Sequence, residues 1–286
     1  GYCGICSNGK MLLLSTVCRK NGGDIIYTST DSGESWKIIM NRLEYSRFDW
    51  NIPYMKPRYN GGGNCVHWIS DIKLSPFDSD TALFNTGTGL FMITGLASGD
   101  VLVKPFCEGI EETVHLNVYT TPHGRNRIID IIGDLGGFAF EDYDSECENS
   151  FANENGDRYI TCLNADLTLS DPEYIVATPR GNWTGKTKGG LILSKDCGST
   201  WERLPMPRGL SEFIDQKLDN IEKPNVDSGW TAISADGKRI MWAVAGGRGF
   251  SNKAVCYTDD EGKTWQKSIF TDSNGNSADE HNVKIF

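Results

Sequence analysis

The sequence lacks any long apolar run, and no stretch approaches the roughly 18 consecutive apolar residues that a membrane-spanning helix needs. It also has little helical character, because runs of Ala, Leu, Glu and Lys in a helical register are almost absent. The first residues, 1–10, include neither an initiator methionine nor an apolar signal core. We therefore expect a soluble, already processed chain that has no membrane partner.

Positive charge and histidine are also scarce. The chain has 28 Lys and Arg against 38 Asp and Glu, a formal net charge of −10 that would repel nucleic acid. Its four histidines show no metal-ligand spacing. The motifs of serine hydrolases, phosphate-binding loops and zinc proteases are absent. We expect neither a metal nor an organic cofactor, and no nucleic-acid partner.

Glycine and tryptophan, by contrast, are abundant, with 32 Gly and eight Trp in 286 residues. This composition indicates an all-β protein that is long enough to bury a core without covalent staples. The nine cysteines are an odd number, so they cannot all pair within the chain. A lone Cys3-x-x-Cys6 leaves three alternatives: a zinc or redox site, ordinary buried thiols, or one disulfide. One glycosylation sequon at 182–184 favours an extracellular location.

Three segments share the pattern S/T-x-D-x-G-x-x-W, which is the pattern called an Asp box: 29–36, 194–201 and 258–265. Each lies between two strand-like runs, so the pattern predicts a hairpin in which the Asp accepts hydrogen bonds from its own turn. The Gly takes a positive φ, and the Trp begins the return strand. We therefore assign Asp31, Asp196 and Asp260 a structural role and expect the tryptophans to pack between blades.

Further strand-and-turn units without the full pattern occupy 67–95, 111–140 and 230–244. The repeats predict about five blade-like units of a β-propeller. One helical segment, 210–221, reads as a decoration between blades.

Candidate chemistry lies in loops. Asp134 stands between an apolar strand and a Gly-Gly pair, where a ligand could approach closely; the alternative is an ordinary turn aspartate. Aromatic residues in loops are candidates for stacking against sugar rings, although packing between blades would also account for them. The candidates for sugar contact are Trp50, Tyr54, Trp68 and Trp183.

Several stretches occur in the order found in one family: IIYTSTDSGESW, WISDIKLSPFDSDTALFNTGTGLF, GIEETVHLNV, GDLGGF, SADGKRIMWA and TDDEGKTW. On these motifs, residues 21–271 resemble glycoside hydrolase family 74, the xyloglucanases. The resemblance implies two tandem seven-bladed propellers with a cleft between them, and inverting hydrolysis by one aspartate from each propeller. Asp134 matches the second of these aspartates, and no counterpart of the first precedes Asp31.

The resemblance therefore predicts a central portion of such an enzyme, inactive or poorly active alone. Residues 1–58 would end a first propeller, and 59–286 would begin a second. It implies a secreted, monomeric glycosidase that cleaves the β-1,4-glucan backbone of xyloglucan or a related polysaccharide. The alternative is a non-catalytic propeller that binds carbohydrate or, as sortilin-like receptors do, protein. A sialidase is disfavoured, because its Arg-Ile-Pro motif is absent.

Overall fold

The structure, a computed structural model, describes most of the chain. The described residues are 1–19, 23–41, 47–55, 68–110, 113–147, 150–182, 185–207, 228–244 and 254–277. They form two compact units, Gly1–Thr113 and Val114–Phe286. The predicted helix at 210–221 and the predicted boundary at 58 and 59 lie outside the described residues, so the boundary stays a prediction.

The first unit contains two four-stranded antiparallel sheets, each with its strands in chain order. The strands of the first sheet are β1 (Tyr2–Ser7), β2 (Leu12–Thr16), β3 (Ile26–Ser29) and β4 (Lys37–Met40). The strands of the second sheet are β5 (Asp71–Leu74), β6 (Ala82–Thr86), β7 (Gly89–Thr94) and β8 (Leu102–Pro105).

The second unit contains three antiparallel sheets, of which the first has three strands in the order β11-β10-β9. The strands of this third sheet are β9 (Val114–Thr120), β10 (Ile128–Gly133) and β11 (Gly136–Phe140). The strands of the fourth sheet are β12 (Cys162–Leu167), β13 (Ile175–Pro179), β14 (Ile192–Ser194) and β15 (Glu202–Arg203). The strands of the fifth sheet are β16 (Trp230–Ile233), β17 (Ile240–Val244), β18 (Ala254–Thr258) and β19 (Gln266–Lys267).

The all-β prediction and the prediction of about five units are confirmed, because the described residues form five sheets and no α-helix. Each predicted unit coincides with strands of one sheet. Segment 67–95 contains β5, β6 and β7, segment 111–140 contains β9, β10 and β11, and segment 230–244 contains β16 and β17. The short, regularly spaced strands and turn residues were sufficient to place them.

In the second unit the sheets stack face to face, and β13 is buried on both sides. Its residues Ile175 and Ala177 pack in one cluster with Ile129 and Ile131 of the third sheet. The residue between them, Val176, packs in a second cluster with side chains of the fifth sheet. Because successive side chains of a strand point to opposite faces, a strand between two sheets is apolar throughout.

Buried side-chain oxygens also join neighbouring sheets. In the first unit, Asp24 accepts a hydrogen bond from the backbone N–H of Ile69 (3.1 Å), just before the second sheet. In the second unit, Asn164 on β12 accepts from the N–H of Thr231 on β16 (2.8 Å). These bonds satisfy backbone donors at the edge of a sheet, where no strand is available to do so.

Candidate functional site

Asp134 lies in the turn that joins β10 to β11. Ile132 pairs with Gly136 across this hairpin, and Asp134 has a φ of 62°, a left-handed conformation that is uncommon outside glycine. Its backbone N–H donates a hydrogen bond to the Thr161 hydroxyl (3.0 Å), which fixes the turn against the start of the fourth sheet. The backbone below the carboxylate is therefore held at a defined position.

The two glycines after Asp134 are required by close packing. Gly136 has a φ of 84°, and a Cβ there would lie 2.8 Å from the carbonyl oxygen of Tyr159. A Cβ at Gly137 would lie 2.6 Å from the carbonyl oxygen of Asp130 and 2.7 Å from the Phe151 ring. The glycines of the GDLGGF segment thus allow backbone to approach backbone, as the sequence predicts.

The carboxylate of Asp134 is exposed, although the sequence places it at the end of a buried strand. The strand is buried, but the turn carries Asp134 out of it. Four residues earlier, Asp130 is buried, so the enclosed carboxylate of this hairpin is at that position. Among the described residues, the Asp130 carboxylate pairs with the imidazole of His115. The Nδ1 atom of that ring lies 2.9 Å from each carboxylate oxygen.

The sequence did not predict the His115–Asp130 pair. The histidines show no metal-ligand spacing, and these two residues are 15 positions apart in the sequence. They meet because β9 and β10 are neighbouring strands. An Asp in an apolar strand run, next to a hairpin partner that carries a His, is the signal that would have found them.

The three S/T-x-D-x-G-x-x-W hairpins share one hydrogen-bond geometry, and we call them the aspartate turns. In the turn after β14, the hydroxyl of Ser194 donates to Asp196 Oδ1 (2.8 Å). The N–H of Thr200 donates to the same oxygen (2.8 Å), and the Thr200 hydroxyl donates to Oδ2 (2.6 Å). The same three kinds of bond surround Asp31 and Asp260. A scaffold role accounts for all of these contacts.

These hydrogen bonds favour the ionised carboxylates. Bonds from Ser35 and Ser29 lower the pKa of Asp31, and bonds from Thr264 and Thr258 lower that of Asp260. Burial raises the pKa of Asp196, but the hydrogen bonds to its carboxylate outweigh burial, so the pKa is lowered. An acceptor that is ionised at neutral pH suits a turn, because it binds several donors at once.

The tryptophans of the aspartate turns differ in their packing. Trp201 is buried in the cluster between the third and fourth sheets, with its ring 4.5 Å from that of Phe151. Trp265 packs against Trp242 and donates its indole N–H to the carbonyl of Pro205, in the segment after β15 (2.9 Å). Trp36 is 37% exposed. The predicted packing between blades is confirmed for the two turns of the second unit but not for Trp36.

Of the predicted sugar-facing residues, Trp50 and Tyr54 lie beside the second sheet. Trp50 stacks on Phe48 (5.1 Å between ring centroids) and meets Phe91 edge-on. Tyr54 is only 9% exposed, and its hydroxyl donates to the carbonyl of Thr88 (3.3 Å). This position of Tyr54 favours the alternative of packing over contact with sugar.

Trp68 is 56% exposed and has a φ of 60°. It lies, with Trp50 and Tyr54, in the first unit, whereas Asp134 lies in the second. Trp183 falls outside the described residues, so its predicted role stays a prediction.

The eight described cysteines are free, and this includes Cys3 and Cys6. Both lie on β1 and neither is paired, so the alternative of a disulfide between them is wrong. Cys3 is exposed and Cys6 is partly buried, so the alternative of ordinary buried thiols is also wrong for Cys3. No group of three or more His, Cys, Asp or Glu in the described parts of the chain could hold a metal ion. In those parts, no helix has the length and apolar character to cross a membrane.

No protein-family model matches the sequence. Among curated proteins, a xyloglucanase from Paenibacillus sp is 24% identical over 296 residues, which cover 94% of this chain and 26% of that protein. Xyloglucanase Xgh74A from Acetivibrio thermocellus is 25% identical over 85% of this chain and 28% of its own length. This chain therefore spans about a quarter of the length of these relatives.

Among solved structures, the GH74 xyloglucanase from Xanthomonas campestris matches with a TM-score of 0.67 at 22% identity. The match covers 92% of this chain and 33% of that one. At such identity the match shows the fold, and it agrees with the prediction of propeller blades. Over most of its length, this chain is similar to part of the xyloglucanases of glycoside hydrolase family 74, which confirms the resemblance predicted from its motifs.

Proposed function

We propose that this chain is part of an inverting glycoside hydrolase that cleaves the β-1,4-glucan backbone of xyloglucan or a related plant cell-wall polysaccharide. The observation that carries the proposal is Asp134. Its carboxylate is exposed on a hairpin held by Thr161 and by two tightly packed glycines, in a chain similar to xyloglucanases. An exposed carboxylate on a rigid support suits acid–base chemistry on a bound polymer.

Inverting hydrolysis needs two carboxyl groups. One protonates the leaving oxygen, and the other activates a water on the opposite face of the sugar, with the two groups about 6.5–9.5 Å apart. We propose that Asp134 is one member of this pair, with either role open. The resemblance puts the other member before Asp31, beyond this chain, and the mechanism uses no metal or organic cofactor.

Trp68 is the strongest of the proposed sugar-contact residues. More than half of it is exposed, and it precedes β5 in a left-handed backbone conformation. Trp50 contributes a half-buried ring that Phe48 supports by stacking. Indole rings present flat apolar faces to the C–H surface of a sugar.

We further propose that the aspartate turns are Asp boxes, also called BNR repeats, and that the parent enzyme is a secreted, monomeric cellulase-type glucanase. The shared bonds around Asp31, Asp196 and Asp260 support the first point. Secretion follows from the size of the substrate, a cell-wall polymer. It is tested by detecting the protein in culture medium rather than in lysed cells.

The proposal is tested by reducing-end release from xyloglucan, with the full-length protein that carries this chain. We expect Asp134→Asn to lower kcat at least about a thousandfold while binding of xyloglucan persists. Asp236→Asn is the matched control, since Asp236 also lies in an exposed hairpin turn, and it should keep normal activity. A wild type that binds xyloglucan without cleaving it would favour the non-catalytic propeller. An active Asp134→Asn variant would assign the chemistry to another residue.

A further inference from the structure

Asparagine followed by glycine is a chemically reactive pair, because the glycine has no side chain to hinder attack of its backbone nitrogen on the asparagine amide. The asparagines of this chain that precede a glycine are Asn8, Asn21, Asn60, Asn155 and Asn274. Asn8, Asn155 and Asn274 lie among the described residues, whereas Asn21 and Asn60 lie outside them. The three described pairs can therefore be compared in structural terms.

Two of these pairs lie in turns of the same construction, residues 153–157 and 272–276, which we call the asparagine–glycine turns. In the first turn, Asn153 Oδ1 accepts hydrogen bonds from the backbone N–H groups of Asn155 (3.0 Å) and Asp157 (2.9 Å). Asp272 Oδ1 accepts the corresponding bonds in the second turn, at 2.8 and 2.9 Å. A side chain at the first position thus holds each turn, so the asparagine side chain two positions later is not needed to form it.

The side chains of Asn155 and Asn274 are exposed. Within the described part of the chain, neither side-chain amide makes a hydrogen bond. The glycine that follows each one is also open, because a Cβ at Gly156 or Gly275 would meet no described atom within 4 Å. No described group therefore keeps either amide from turning over its own backbone.

Asn8 lies in a different turn, the hairpin between β1 and β2. Its Oδ1 accepts hydrogen bonds from the backbone N–H groups of Lys10 (3.1 Å) and Met11 (2.9 Å). Asn8 is as exposed as the other two asparagines, and its glycine has equally open surroundings. The difference is that the side chain of Asn8 is part of its turn.

The glycines themselves do not distinguish the three pairs. Gly9, Gly156 and Gly275 all have a positive φ, of 83°, 77° and 82°. Each also donates its backbone N–H within its own turn: Gly9 to the Ser7 hydroxyl (3.1 Å), and the other two to the carbonyl of the first turn residue (2.9 and 3.0 Å). This bond has to open before the nitrogen attacks in all three turns. Reactivity should therefore follow the bonding of the asparagine side chain.

We propose that Asn155 and Asn274 are sites of spontaneous deamidation in the folded protein, and that the turn of Asn8 protects Asn8 from this reaction. The backbone nitrogen of the following glycine forms a bond to the side-chain carbon Cγ and gives up its proton. The bond from Cγ to the amide nitrogen breaks, and ammonia leaves. Water then opens the cyclic imide at either carbonyl, which yields aspartate or isoaspartate. The reaction needs only water and base, and it is independent of the proposed hydrolase function.

Peptide mapping by mass spectrometry, after incubation of the full-length protein at mildly alkaline pH, provides the first test. We expect the peptides of Asn155 and Asn274 to convert to a mixture of aspartate and isoaspartate. Asn8 should convert at least about tenfold more slowly, because two hydrogen bonds to its side chain have to break first. Asn155→Gln, which requires a larger ring, should leave position 155 unmodified while Asn274 still reacts. Equal rates at Asn8 and Asn155 would overturn the inference.

The same incubation in denaturant separates the fold from the local sequence. Unfolding removes the hydrogen bonds of Asn8, so all three asparagines should then react at similar rates. An Asn8 that stays slow in the denatured chain would assign the difference to sequence and overturn the protective role of its turn. If Asn155 and Asn274 react when denatured but not when folded, the two sites are wrong. Aspartate as the sole product would overturn the cyclic intermediate, since an imide opens to both products.

Discussion

At Gly137 the absence of a side chain decides whether the hairpin of Asp134 can pack. We expect Gly137→Ala to lower the free energy of unfolding by about 1–3 kcal/mol, because its Cβ would overlap the Asp130 carbonyl and the Phe151 ring. Gly87→Ala is the control, since a Cβ there would have no described atom within 4 Å. Denaturant unfolding measures both. Equal midpoints for the two variants would contradict this account.

Asp196 tests the aspartate turn. Asp196→Ala removes the acceptor of three hydrogen bonds, so we expect a loss of about 1–3 kcal/mol at pH 7. Because the folded-state pKa lies below the unfolded one, this stabilisation is present above a pH of about 4 and is lost as pH falls through the folded-state pKa. Thermal unfolding from pH 7 to pH 3 should show the gap between wild type and variant narrowing. Asp144→Ala, at an exposed position, should show no such gap.

The roles of single residues could be predicted from the sequence where their partners lie close by in the chain. The carboxylate, the hydroxyl and the glycine of each aspartate turn all act within eight positions, so the pattern alone indicates their bonds. The sequence did not indicate that Ser32, Cys197 and Glu261, each directly after the aspartate, would share the left-handed conformation. The turn imposes that conformation against their side-chain preference.

At the scale of elements, side chains on β12 of the fourth sheet hydrogen-bond to the backbone of β16 in the fifth sheet, although the two strands share no backbone hydrogen-bond ladder. Asn164 accepts from Thr231 N–H, and Asp166 accepts from Ile233 N–H (2.8 Å each), so alternate positions of one strand bind alternate positions of the next sheet. Every second side chain points the same way, which is why this spacing works. The two sheets therefore adhere through polar contacts as well as through their apolar cluster.

Replacing Asn164 separates these contributions. We expect Asn164→Leu to destabilise the protein by about 1–3 kcal/mol despite its greater apolar area, because the buried N–H of Thr231 loses its acceptor. Asn155→Leu, at an exposed loop position, is the control. Amide hydrogen exchange at Thr231 should accelerate in the first variant only. Unchanged exchange there would mean that another group satisfies this donor.

The hairpins were the predictable elements, and the register of β9 was not. A hairpin needs only its own turn chemistry, whereas the bulge that β9 has at Leu116 depends on how two strands pair over their whole length. The geometry of His115 and Asp130 follows from that register. The sequence accordingly indicated Asp134, which a turn exposes, and missed the pair that a shift in pairing creates.

For the molecule as a whole, the free cysteines predict that oxidation contributes nothing to stability. All eight described cysteines are unpaired. We expect a reducing agent to leave the thermal midpoint of this chain unchanged, and thiol titration of the denatured chain to find nine groups. Fewer than nine thiols before reduction would contradict this prediction.

The residue that follows the aspartate in each turn has a further consequence, for the order in which blades follow one another. Glu261 binds the Tyr174 hydroxyl (2.7 Å) and Lys195 of the preceding sheet. Cys197 contacts the carbonyl of Asn126, also in the preceding sheet (3.1 Å). Since the backbone of the turn is set by its other members, this one position is free to differ from repeat to repeat. In these two turns, the side chain at this position ties its sheet to the preceding one by a contact that differs from turn to turn.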